Sequence, residues 1–291
     1  MKIIVIGKSG QLAWELNQLE STENEVVCLG RNDVDLQSIE TINECLKQNK
    51  AEGVINASAY TAVDKAESDV DNAYALNAKA VGNLAQTSKK LALPFVHVST
   101  DFVFQGDKGV PYLPDDEIQP LGVYGASKAL GEQLITEVYP ERSCIIRTSW
   151  VYSTHGNNFV KTMLNLMRTK PELGVISDQI GSPTYAKGLA ATCVASLTNS
   201  VSGIHHYSDA GVASWFDFAV AIQRIGFELG LLDKIIPIKP ITTTQYPTPA
   251  KRPNYSVLDK NSLVSALPTL TFSHWQDQLH AMMTTLKAEQ F

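Results

Sequence analysis

Short apolar runs rich in β-branched residues alternate with longer amphipathic stretches through the first half of the chain. Residues 2–6, 25–29, 53–56, 94–99 and 143–147 read as strands, and 11–19, 39–48, 73–91, 127–139 and 158–168 as helices. Runs that are apolar throughout, rather than at every second position, mark strands buried on both faces. Their alternation with helices predicts an α/β fold, a doubly wound parallel sheet with helices on both sides. Ligands of such sheets gather beyond the carboxyl ends of the strands. Gly7, Arg31, residues 57–61, Thr100 and residues 148–150 all follow a predicted strand.

The second half is less regular. Residues 181–184 read as a loop before a helix at 185–197, further helices are expected at 215–229 and 272–287, and the five prolines of 237–253 predict irregular chain. The expected division is a dinucleotide-binding domain at 1–156 and a smaller substrate lobe at 157–291, interleaved with later crossings of the sheet.

Composition narrows the classes. At 291 residues the chain is long enough for one large α/β domain with a smaller lobe. A net charge of −6 without a basic stripe disfavours nucleic acid and anionic membrane as partners. Cys28, Cys45, Cys144 and Cys193 are scattered, with no C-x-x-C pair, and read as reduced residues rather than disulfides. No signal-peptide pattern precedes the first strand and no apolar run is long enough to cross a bilayer, so the expected location is the cytoplasm.

Two local patterns carry chemistry. The first strand runs straight into Gly7-Lys8-Ser9-Gly10-Gln11-Leu12-Ala13 and then a helix, the context a dinucleotide-binding loop of a Rossmann fold requires. Gly7 would allow the tight turn, and Gly10 would let the backbone approach a pyrophosphate. After the second strand comes Arg31, where an acidic residue would select the ribose hydroxyl of NAD; an arginine instead suits the 2′-phosphate of NADP. NADPH is therefore the expected cofactor, with NADH still open, because Arg31 also reads as an ordinary surface residue. The second pattern is Tyr124-Gly125-Ala126-Ser127-Lys128, at the start of a predicted helix. Residues four apart share a helix face. A nearby ammonium would favour the phenolate of Tyr124 and bring its proton within reach of neutral pH. Such a pair can act as a general acid in carbonyl–alcohol chemistry, although the spacing alone also occurs on ordinary helix surfaces.

Across nearly its whole length the chain resembles the dTDP-4-dehydrorhamnose reductase family of extended short-chain dehydrogenases/reductases. The resemblance rests on the glycine loop, on residues 56–67 (NASAYTAVDKAE), on 98–104 (VSTDFVF), on the Tyr124/Lys128 pair, on 147–152 (RTSWVY), on 156–159 (GNNF) and on Arg252-Pro253. It implies that Tyr124 protonates the sugar oxygen, that Lys128 supports it and holds the nicotinamide ribose, and that Thr100 binds the carbonyl. It implies further that Gly10, Gln11, Leu12, Asp35, Leu36, Ala59, Tyr60 and Thr61 line the cofactor site and that Asp101 and Trp150 contact a dTDP-sugar substrate. Arg252 would pair with the substrate diphosphate or form a surface salt bridge. Thr100 has a turn-capping alternative, and Trp150 a packing one. A homodimer is compatible with the resemblance.

Some relatives hold a divalent ion with an acidic residue at the position of Glu15, but Lys187 stands at the second acidic position, so no metal is expected. Adjacent His205 and His206 would point to opposite faces of a strand and read as packing or surface residues. Two other functions compete. One is the non-catalytic regulatory subunit of methionine adenosyltransferase, against which the retained Tyr124, Lys128 and Thr100 argue. The other is a sugar-nucleotide dehydratase or epimerase; a 4,6-dehydratase needs Asp-Glu after the threonine, where this chain has Asp101-Phe102.

Overall fold

The computed structural model describes residues 1–289. In chain order the first part runs β1 (Lys2–Ile6), α1 (Gln11–Asn17), β2 (Glu25–Leu29), α2 (Ile39–Gln48), β3 (Gly53–Asn56), α3 (Val63–Ala66), α4 (Val70–Tyr74), α5 (Ala80–Lys90), β4 (Phe95–Thr100), α6 (Val123–Val138) and β5 (Ser143–Thr148). The second part runs β6 (Val151–Tyr152), α7 (Phe159–Thr169), β7 (Leu173–Ile176), β8 (Ile180–Gly181), β9 (Thr184–Tyr185), α8 (Ala186–Thr198), β10 (Gly203–His206), β11 (Ala213–Ser214), α9 (Trp215–Glu228), β12 (Ile238–Ile241), α10 (Asn261–Ala266) and α11 (Trp275–Ala288).

Six strands form one parallel sheet in the order β10-β5-β4-β3-β1-β2. The period-2 geometry of β1 explains its unbroken apolar sequence. Ile3 and Val5 face a core shared with α1 and α8, while Ile4 and Ile6 face one shared with α2, α5 and α6. The order reverses at β1, whose neighbours are β2 and β3, and the glycine loop follows that strand. A separate core joins α7, α9 and α11 around Phe218, Met282 and Met283. The strand β10 and helix α8 come from the second half of the chain yet complete the large sheet and its cover.

Two departures from the expected elements bear on the site. The helix expected at 73–91 is α4 and α5 joined by a π-helical turn, Ala75–Lys79. The wide turn carries Asn77, whose side chain spans the Tyr60 backbone (2.8 Å to its N–H, 3.2 Å to its carbonyl) and the Ser127 hydroxyl at 3.0 Å. A regular helix would not give that side chain both neighbours; π-bulges recur at such sites. The proline-rich stretch is not wholly irregular either. Its β12 pairs in parallel with β7, and Pro240 is tolerated because this is a two-stranded ribbon with a free edge.

Candidate active site

A cleft of about 1180 Å³ runs along the carboxyl ends of the strands. One end is formed by Gly30, Arg31 and Asp35, the middle by the β1–α1 loop and residues 57–59, and the other end by Tyr124 and Lys128. Gly7 turns with φ +128°, and a Cβ there would lie 3.2 Å from the Ala57 backbone, so only glycine fits without strain. Gly10 precedes α1 in an extended conformation, and a Cβ built on it would meet nothing within 4 Å. That open volume adjoins the cleft and leaves room for a phosphate-bearing group to reach the backbone.

Of the residues expected to bind the cofactor, Gly7, Gly10, Gln11, Leu12, Arg31, Asp35, Leu36, Ala59, Thr61, Tyr124 and Lys128 line this cleft. Tyr60 does not. Its hydroxyl donates to Asp69 at 2.9 Å, and Asn77 clamps its backbone, so its ring turns away while Ala59 and Thr61 face the groove. Lys8, which no sequence motif marks, also lines the cleft. Its Nζ lies 3.4 Å from Asp33, which accepts from the Gly30 N–H at 2.8 Å. These two donors hold the Asp33 carboxyl below its ordinary range. The nearest acid is therefore committed to the turn, leaving Arg31 and Lys8 as the cations of that end.

At the other end, α6 places Tyr124, Lys128 and Glu132 on one face. The helix comes very close to the loop after β4: a Cβ on Gly125 would sit 2.1 Å from the Phe102 carbonyl oxygen. Glu132 receives Arg147 in a bidentate pair at 2.7–3.1 Å, and the Ser99 hydroxyl donates to it as well, all fully buried. This cluster fastens α6 to the ends of β4 and β5, which carry Thr100 and Thr148 side by side. Thr100 accepts from the Phe102 N–H at 3.2 Å, so it does cap the turn, yet its hydroxyl also bears on Tyr124.

The electrostatics correct one expectation. Burial pushes the Tyr124 phenol up to about 12, against a smaller opposing effect of the Thr100 hydroxyl. The Lys128 Nζ is directed elsewhere, to His97 Nε2 at 3.0 Å and the Val98 carbonyl at 2.7 Å. Burial lowers Lys128 itself to about 8, with Glu132 opposing. Asp101 is buried beside Thr100 and raised to about 6 by desolvation, an effect opposed by the neighbouring Ser256 and Thr100 hydroxyls, of which Thr100 donates to its Oδ1 at 3.1 Å. Its Oδ2, like the Thr148 hydroxyl, is buried without a hydrogen-bond partner. Such orphaned polar atoms are costly; Thr148 lines the Tyr124 end of the cleft, whereas Asp101 is not among its lining residues.

The remaining candidates are engaged within the protein. Trp150 stacks on Trp215 with ring centroids 3.6 Å apart, so one face of the indole is covered rather than open. Arg252 makes a two-pronged ion pair with Asp64, at 2.8 and 3.1 Å, in place of the free guanidinium a diphosphate would need. Glu15 accepts from Ser153 at 2.6 Å and feels Lys187 as a favourable charge; desolvation raises it. Among the described residues no group of three or more His, Cys, Asp or Glu side chains is arranged to hold a metal ion. His206 is packed edge-on against Phe104, and His205 bonds Ser262.

Residues 1–288 match the family model described as the RmlD substrate binding domain. The chain belongs to the dTDP-4-dehydrorhamnose reductase family. Among its relatives is the spore coat polysaccharide biosynthesis protein SpsK of Bacillus subtilis, 40% identical over 96% of this chain and 95% of that one. The dTDP-4-dehydrorhamnose reductase of Burkholderia thailandensis is 39% identical over 90% of this chain and 92% of its own. A solved dTDP-4-dehydrorhamnose reductase from Bacillus anthracis, in complex with NADP, superposes with a TM-score of 0.91 at 33% identity, covering 98% and 99% of the two chains. The family's parallel sheet and helices are those described above. No helix among the described residues is long and apolar enough to cross a membrane.

Proposed function

We propose that the protein is an NADPH-dependent reductase that converts dTDP-4-dehydro-L-rhamnose to dTDP-L-rhamnose for surface polysaccharide synthesis. The observation that carries this reading is one cleft with the cations Arg31 and Lys8 at one end, the glycine loop in the middle and the Tyr124/Lys128 helix face at the other end. The names of the relatives support the substrate and the cofactor. Gly7 and Gly10 would cradle the dinucleotide, Arg31 and Lys8 would take its 2′-phosphate, and Thr148 would offer its unpartnered hydroxyl near the reacting end. Residues 1–156 would serve mainly the dinucleotide and residues 157–291 the sugar nucleotide.

When bound, the dinucleotide supplies the hydride. The chain supplies the proton and the geometry. A phenol held near 12 is fully protonated at neutral pH, which is the state a reductase needs in its general acid. Tyr124 donates that proton to the oxygen at C4 as negative charge grows there. The Thr100 hydroxyl steadies the same oxygen. Asp101 accepts a sugar hydroxyl through its free Oδ2. The Trp150–Trp215 stack would present its outer face as a wall to the sugar nucleotide.

The direct test is NADPH oxidation by the purified protein across a panel of 4-keto-6-deoxy sugar nucleotides, with product stereochemistry read by NMR. Turnover is expected with the dTDP sugar. Reduction only of a UDP- or GDP-linked sugar would keep the reductase and change the substrate. Binding of NADPH without turnover of any of them would replace the enzyme by a binding protein.

A further inference from the structure

Behind Lys128 a chain of buried hydrogen bonds assigns its own protons. Asn56, the last residue of β3, is buried, and its Oδ1 accepts from the Ser58 backbone N–H at 3.1 Å and from the Ser58 hydroxyl at 2.7 Å. A backbone N–H can only donate, so this contact fixes which way the amide points. The Asn56 atom facing His97 is then Nδ2, also a pure donor, 3.0 Å from His97 Nδ1. Nδ1 must accept. A neutral imidazole that accepts at Nδ1 carries its hydrogen on Nε2. Nε2 lies 3.0 Å from Lys128 Nζ, which already donates to the Val98 carbonyl. An ammonium has no lone pair with which to receive an Nε2–H, whereas an amine has one. An imidazolium would add a second clash at Nδ1.

We propose that Asn56 locks His97 as the Nε2–H tautomer, and that His97 thereby disfavours the ammonium form of Lys128 in the ligand-free enzyme. His97 is a positioning residue that sets the proton count of Lys128 without touching substrate. The proposal rests on the reading of Lys128 as the partner of Tyr124. The groups around the pair agree with it. From α6, Glu132 favours the ammonium, but its charge is taken by Arg147 of β5 and by Ser99 of β4. Tyr124, on the same helix, is neutral. From β3 only Asn56 reaches the ring. Burial disfavours charge on both His97 and Lys128. Further negative charge entering the cleft would favour the ammonium again, so the lysine would acquire its full electrostatic effect only in the loaded site.

The test needs no turnover. In protein labelled with nitrogen-15 at histidine, two-bond NMR correlations report each ring's tautomer, and the His97 signals are those lost in His97→Gln or, should that variant not fold, His97→Asn. The expected pattern is a bare Nδ1 and a protonated Nε2; a protonated Nδ1 would overturn the proposal whatever the enzyme reduces. Asn56→Asp supplies a pure acceptor at the same place. It should reverse the tautomer, turn Nε2 into an acceptor for an ammonium, and move the alkaline limb of the kcat/KM profile up by about one unit or more. A reversed tautomer with an unmoved limb would break the link to Lys128.

Discussion

Tyr124 keeps its proton because its surroundings are dry, and Lys128 is turned away to His97. Tyr124→Phe retains the ring and its edge contact with Phe102. It should lower kcat by about two to four orders of magnitude, the usual scale for a general acid, with NADPH affinity unchanged by fluorescence titration. Near-normal turnover would remove Tyr124 from the chemistry. At the proposed adenosine end, Lys8 lines the cleft together with Arg31 and would share the duty proposed for it. Arg31→Ala should therefore cut the kcat/KM preference for NADPH over NADH by roughly tenfold, about 1.4 kcal/mol, and the further change Lys8→Ala should abolish what is left. A wild-type enzyme indifferent to the 2′-phosphate would dismiss both cations. The difference in legibility has a physical basis. Tyr124, Lys128, Gly7 and Gly10 act through local geometry, a helix face or a turn, and spacing records that. Asn56, Asn77 and His97 act across β3, β4 and α6, and no spacing along the chain records which side chains meet there. Tyr60 lies outside the lining of the cleft, because place in a motif says nothing about the side to which a loop residue turns.

The element that organises the chemistry is α6, and what holds it is the buried Arg147–Glu132 pair. Arg147 has no exposure, lies over the Phe104 ring at 5.0 Å and donates to the Pro114 carbonyl at 2.9 Å. Removing one member of such a pair strands the other charge, at a cost of about 3–5 kcal/mol. Arg147→Met should thus show a large loss in unfolding free energy by denaturant titration, together with a fall in kcat, since Thr100, Tyr124 and Lys128 share this anchorage. Adding Glu132→Leu removes the stranded charge. It should restore most of the stability but not the activity, because an apolar pair can replace the packing of an ion pair without its fixed geometry. A single variant as stable as the wild type would show that the pair does not clamp the helix. Most strands and helices were readable here because apolar periodicity reflects burial, which is local to each element. The π-turn at Ala75–Lys79 was not, since it answers to a partner: α6 approaches so closely that a Cβ on Gly131 would lie 2.2 Å from the Asn77 carbonyl oxygen. The ribbon β12 was hidden by prolines that its free edge tolerates.

At the scale of the whole molecule, one strap of chain closes the smaller lobe over the catalytic end. Arg252 pairs with Asp64 of α3, whose carboxylate also accepts from the Ala250 N–H at 3.1 Å. Pro253 lies so near Gly106 that a Cβ there would sit 2.3 Å away, and the Tyr255 N–H donates to the Gly106 carbonyl. The Arg252–Asp64 bond therefore joins α3, which follows β3, to the segment packed on Gly106 in the loop after β4. The ion pair holds Asp64 below its ordinary range. The two duties considered for Arg252, seam and diphosphate ligand, predict different arithmetic. If the guanidinium serves only the seam, Asp64→Ala and Arg252→Ala each raise KM for the dTDP sugar about tenfold and leave the NADPH dissociation constant alone. The double variant is then no worse than either single one, since residues acting through one contact are not additive. If Arg252 also reaches the diphosphate, Arg252→Ala costs more than Asp64→Ala, and freeing the arginine by Asp64→Ala lowers KM instead of raising it. The two-pronged Arg252–Asp64 ion pair favours the first outcome. A lower KM in Asp64→Ala would show that the guanidinium leaves Asp64 when the substrate arrives.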